Sequence, residues 1–145
     1  MSIFLRSVLP ALCFGLTTCS WATYFAVINA RAEPIRVSYL ARPLRTPPML
    51  AATNELAESR QTWKELNVSG AQKDSAALTV VLGPDSALLV AVQPNYLGPG
   101  DGLNDWFEIK SLRIQTQFGE RSYKGAEVPH AFEKRSRSLY VLELR

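Results

Sequence analysis

The sequence predicts an antiparallel β-sandwich, immunoglobulin-like or Greek-key in type, with about eight strands and one short helix near 48–59. Short runs rich in β-branched and aromatic residues recur along the chain, with Gly, Pro, Asn and Asp between them and neither an internal repeat nor a heptad. The 145 residues, 47% of them hydrophobic, suffice for one domain with a buried core. A small closed barrel is the alternative arrangement of the same strands.

YFAVIN (24–29) and IRVSYL (35–40) are the first two strands, and the short connection ARAEP predicts that they form a hairpin. Ile35, Val37 and Tyr39 alternate with Arg36 and Ser38, so one face of the second strand is buried and the other wet. Pro43, Pro47 and Pro48 make 42–48 an extended surface connection. Beyond it, Met49, Ala52, Leu56, Trp63 and Leu66 fall near helical spacing, with Thr46 placed to cap and Pro47 at the first helical position. This predicts the helix at 48–59, followed by a brief strand at 61–66.

LTVVL (78–82), the turn GPDS and ALLVAVQ (87–93) read as a second hairpin, apolar on both faces. In WFEIKSLRIQTQF (106–118), Phe107 and Ile109 hold odd positions whereas Leu112, Ile114 and Phe118 hold even ones, which predicts a β-bulge near Lys110 or Ser111. SYKG (122–125) and AFEKRS (131–136) read as short edges, and SLYVLEL (138–144) closes the sandwich.

The N-terminus has the three-part layout of a secretory signal: one positive charge within 1–6, an uncharged apolar stretch at 7–15, then small and polar residues. The expected organisation is therefore a signal at 1–22 and a single sandwich domain at 23–145. Leu16-Thr17-Thr18-Cys19 resembles the bacterial lipobox, which implies acylation of Cys19; it departs from that pattern at Thr18, where Gly, Ala or Ser is usual. Ser20 and Ala22 supply the small residues for ordinary cleavage after Ala22. Ala30-Arg31-Ala32 matches the same rule, but a cut there would discard the first strand. A third outcome is retention as a signal anchor, because residues 7–30 carry no charge and about 20 residues suffice to cross a bilayer. With Cys13 inside the signal, the mature chain keeps Cys19 or no cysteine, and no internal disulfide forms.

The chemistry narrows the function classes. A formal charge of +3, from 16 basic and 13 acidic side chains, leaves little field for gripping nucleic acid. His130 is the single histidine; it stands in no triad motif, reads as a solvated loop residue and argues against a zinc site. GPGDG has neither the spacing nor the lysine of a phosphate loop, and no cofactor is implied. The loop at 94–105 offers oxygen ligands in Asp101, Asn104 and Asp105, of the kind calcium takes, although the same residues suit tight turns. With Tyr96 and Trp106 they form the candidate ligand-binding surface, and Trp63 is a further aromatic that could stack on a sugar or a partner. Lys134, Arg135 and Arg137 form a basic turn that would meet anionic headgroups if Cys19 tethers the protein.

The functional expectation is a non-catalytic module exported to a bacterial envelope, periplasmic or membrane-anchored, that binds a protein partner or a glycan. The alternative is an exported hydrolase working through carboxylates such as Asp101, Asp105 and Glu108.

Overall fold

The computed structural model describes residues 21–56, 63–66, 76–94, 96, 98 and 107–145. They form two mostly antiparallel sheets that face one another without closing into a barrel. The strands are β1 (Ala22–Asn29), β2 (Ile35–Ala41), β3 (Met49–Ala52), β4 (Lys64–Glu65), β5 (Ala76–Leu82), β6 (Ser86–Pro94), β7 (Ile109–Thr116), β8 (Gly119–Lys124), β9 (Glu133–Lys134) and β10 (Leu139–Leu144), with one helical turn, α1 (Glu127–His130). The larger sheet runs β4-β3-β6-β1-β10-β9 and the smaller β5-β2-β7-β8. Among the described residues β1 and β10 are the one parallel pair, Tyr24 lying beside Leu139 and Asn29 beside Leu144.

Burial explains which strand went where. Phe25 and Val27 face the smaller sheet, while Ala26 and Ile28 face the opposite way into a second apolar cluster with Trp63, Leu89 and Val141. A strand that is apolar on both faces has to sit in a sheet covered on both sides, so β1 takes a central position, and β6, buried from Ala87 to Ala91, lies next to it. β2 has a wet face at Arg36 and therefore belongs to the smaller sheet, whose outer face is polar. Around Phe25 the rings of Tyr96, Phe107 and Phe132 stand edge-on, at centroid distances of 5.0, 4.8 and 5.5 Å, and Tyr140 stacks at 5.3 Å.

Both predicted hairpins are corrected by this partition. β1 and β2 do not pair, and β5 pairs with β2 rather than with β6. Each short connection is a corner that carries the chain from one sheet to the other. Differing burial demands outweighed loop length: β5 alternates and leaves Val81 62% exposed, so it cannot share the doubly covered environment of β6. The two corners meet at Asn29, which is fully buried. Its side-chain amide donates to the backbone carbonyls of Glu33, Leu82 and Gly83 at 2.8, 3.1 and 2.9 Å, and its Oδ1 accepts the Arg31 N–H at 3.1 Å.

The helix expected at 48–59 is absent over its first half. Met49–Ala52 is β3, which pairs with both β6 and β4, and Thr53–Glu55 is a single 3-10 turn; residues 57–62 lie outside the described residues. The open edge of β6 offers backbone partners, and as a strand the segment sends Met49 and Ala51 into the second apolar cluster, so sheet pairing prevails over helical spacing. The strand expected at 61–66 appears as Lys64–Glu65. The expected bulge is present: Leu40 pairs with Ser111 and Ala41 with Ile109, which leaves Lys110 as the extra residue and explains the change of phase. Phe118 stands in the β7–β8 turn, 75% exposed. α1 precedes β9, so the edge expected at 131–136 shortens to Glu133–Lys134.

Asn29→Ala should lower stability by roughly 2–4 kcal/mol, because it removes one buried and three part-buried hydrogen bonds and strands their partners. Val81→Thr should change it by less than about 0.5 kcal/mol. Equilibrium urea unfolding checks both, and equal losses would contradict the corner assignment.

Candidate functional site

The end of the sandwich opposite Asn29 holds an unusual set of buried polar groups. Glu108 stands just before β7, between Phe107 and Ile109, and is 1% exposed. Its Oε2 accepts the Arg45 N–H at 3.0 Å, its own backbone carbonyl accepts the Arg42 N–H at 2.7 Å, and Oε1 has no hydrogen-bond partner. The Thr46 hydroxyl oxygen accepts the Val92 N–H from β6 at 3.0 Å. Glu108 and Thr46 thereby pin the proline-rich connection, which lacks a strand of its own, to both sheets.

Burial pushes the Glu108 carboxyl above the usual range, and hydrogen bonds from Thr46 and neighbouring backbone N–H groups oppose the shift without cancelling it. Tyr39, from the inner face of β2, is raised by burial first and by the nearby Glu108 carboxylate second, so its phenol stays protonated. Its hydroxyl is buried without a hydrogen-bond partner. Thr23 and Gln93, cross-strand neighbours on β1 and β6, are also buried, with Thr23 Oγ1 and Gln93 Nε2 unpartnered. Chemically this end holds a sheltered set of hydrogen-bonding groups, among them one carboxyl whose charged form burial disfavours. Among the described residues no group of three His, Cys, Asp or Glu side chains could hold a metal ion.

The residues singled out in the sequence fare unevenly. Tyr96 is not an exposed platform: it is 7% exposed, with its ring in the aromatic cluster around Phe25. Trp63 likewise is buried, covering the outer side of the larger sheet. Large rings repay burial more than exposure, and both sheets offered space. Cys19, Asp101, Asn104, Asp105 and Trp106 lie outside the described residues. His130 is exposed at the end of α1, beside a cleft of about 590 Å³ lined by Ser122, Tyr123, Ala126, Glu127 and Ala131. Lys134, Arg135 and Arg137 are exposed as expected.

Glu108, named in the sequence as a candidate carboxylate for hydrolysis, is buried rather than solvated as charges at strand ends usually are. The signal was local: an acid between Phe107 and Ile109, two residues ahead of a predicted bulge, has no wet face to occupy. In class the molecule is a two-sheet all-β protein with a polar cluster at one end. No family model, no curated protein and no solved structure matches the chain.

Because the carboxyl is raised in the folded state, the folded protein holds this proton more tightly than the unfolded chain. The contribution is therefore full below the unfolded-state value of about 4.3 and is lost as pH rises through the folded-state value. Glu108→Gln should flatten that part of the stability curve, with its melting temperature gaining on the wild type as pH rises from 4 to 8. Parallel curves for the two proteins would show that the Glu108 carboxyl titrates alike in the folded and unfolded states.

Proposed function

We propose that this protein is a non-catalytic β-sandwich module exported to a bacterial envelope, where it binds a protein partner or a glycan, held through an acylated Cys19 or freed by cleavage after Ala22. The observation that carries the reading is where β1 begins. Its first residue is Ala22, and β1 is the central strand joining β6 to β10. Processing at Cys19 leaves β1 whole, and a cut after Ala22 removes only its first residue. A cut after Ala32 would remove the strand on which both apolar clusters depend. Strand formation from Ala22 also leaves only residues 7–21 of the uncharged run, short of the about 20 that a spanning helix needs, which weighs against a signal anchor.

The hydrolase alternative draws on Glu108, whose raised carboxyl suits a general acid. Burial at 1% exposure and the bond to the Arg45 N–H fit a structural pin better than a group that meets substrate.

Intact mass of the protein recovered from its host envelope should give a chain starting at Cys19 with added acyl mass, or at Thr23 with none. A full-length chain starting at Met1 in the cytosolic fraction would overturn the proposal. Ligand class is then read by thermal shift against envelope oligosaccharides, since a ligand of the native state raises its melting temperature.

A further inference from the structure

We infer that the end of the sandwich at which β1 begins is a docking face for anionic lipid headgroups. The inference rests on the export reading and adds an orientation to it.

The strand registers divide the charges between the two ends. Ala22 lies beside Pro94, Tyr24 beside Leu139, and the Tyr24 N–H donates to the Ser138 carbonyl at 2.7 Å. The start of β1 therefore adjoins the turn that carries Arg135 and Arg137. In the smaller sheet the same end holds the close of β2, the start of β7 and the close of β8, because Arg42 N–H reaches Glu108 and Gly125 N–H reaches Lys110. The exposed cations Arg42, Arg45, Lys124, Lys134, Arg135 and Arg137 belong to this end, against the exposed acids Glu127 and Glu133. The far end is acidic by comparison. Glu33, Glu55, Asp85, Glu120 and Glu143 gather around the Asn29 corners, with Arg31, Arg36, Arg121 and Arg145. Glu58, Arg60, Lys73, Asp74, Asp101 and Asp105 lie outside the described residues and do not enter this comparison.

Two further features point to a bilayer rather than a generic polyanion. Trp21, 41% exposed, stands at this end with its indole N–H on the Tyr96 carbonyl, an amphipathic ring of the kind that settles at headgroup level. It lines a cleft of about 310 Å³ with Ala22, Tyr24, Arg137 and Ser138, so an aromatic edge and a guanidinium border one opening. The uncharged segment 7–20 joins the domain here too. An acyl group on Cys19 would enter the chain two residues before Trp21. Tether, aromatic and cations then share one side of the molecule.

The test is co-sedimentation of the full chain with vesicles of phosphatidylcholine alone, or with about a third phosphatidylglycerol, at low and at physiological salt. Anionic lipid should raise partitioning, and the combined change Lys134→Gln, Arg135→Gln and Arg137→Gln should lose about fivefold per charge at low salt. The far-end set Arg36→Gln, Arg121→Gln and Arg145→Gln, with the same change in net charge, should leave partitioning unaltered. Circular dichroism confirms that each variant is folded. Equal losses in both sets would reduce the effect to net charge and overturn the docking face, as would indifference to phosphatidylglycerol. A charge-dependent gain with duplex DNA and none with vesicles would overturn the lipid assignment. The export reading fails separately, on the mature N-terminus.

Discussion

One buried side chain, Asn29, fixes how the two sheets meet. Each sheet receives the chain through a short corner, and a corner that crosses between sheets leaves backbone carbonyls with no ladder to join. Asn29 closes the β1–β2 corner on itself through Glu33 and Arg31, and reaches across to Leu82 and Gly83 at the β5–β6 corner. Without that clasp the Leu82 carbonyl would be left buried and those of Glu33 and Gly83 would depend on water at the rim. Toward the other end the edge-on rings around Phe25 fill the space between the sheets.

The opposite end solves the same problem with a carboxyl in place of an amide. Glu108 and Thr46 hold a segment with three prolines, which has few N–H groups to contribute and no strand to join. A carboxyl does this at a cost that an amide avoids, since its charged form is disfavoured by burial. The ends therefore differ in kind: one is locked by a neutral group at any pH, while the other carries a titratable group amid unpartnered hydroxyls and amides.

The sequence makes the positions of the strands legible and leaves their partners open. YFAVIN, IRVSYL, LTVVL and SLYVLEL appear where β-branched runs placed them, and the phase change near Lys110 is a bulge. Pairing failed because a short connection is compatible with a hairpin or with a corner between sheets, and only burial on both faces distinguishes them. That distinction was partly readable: β1 and β6 lack the alternation that β2 shows. Met49 to Ala52 misled because four residues cannot separate a period of 3.6 from a period of 2, and the free edge of β6 decided the matter. At the candidate site Tyr96 was misread because an aromatic in a turn-rich loop resembles a platform until its ring is seen among Phe25 and Tyr140. Glu108 was named for chemistry, and its side chain bonds the proline-rich connection through the Arg45 N–H.

The parallel pairing of β1 with β10 bears on how the chain reaches its native state. Two segments at nearly opposite ends of the described chain complete the same sheet, so a ribosome that has released β1 must finish almost the whole chain before Leu139–Leu144 can dock beside it. Until then β1 is a strand apolar on both faces with one edge unpaired, which is the kind of segment that aggregates or engages a chaperone. The order of synthesis thus sets a limit on folding: the larger sheet cannot be completed until the last strand has been made.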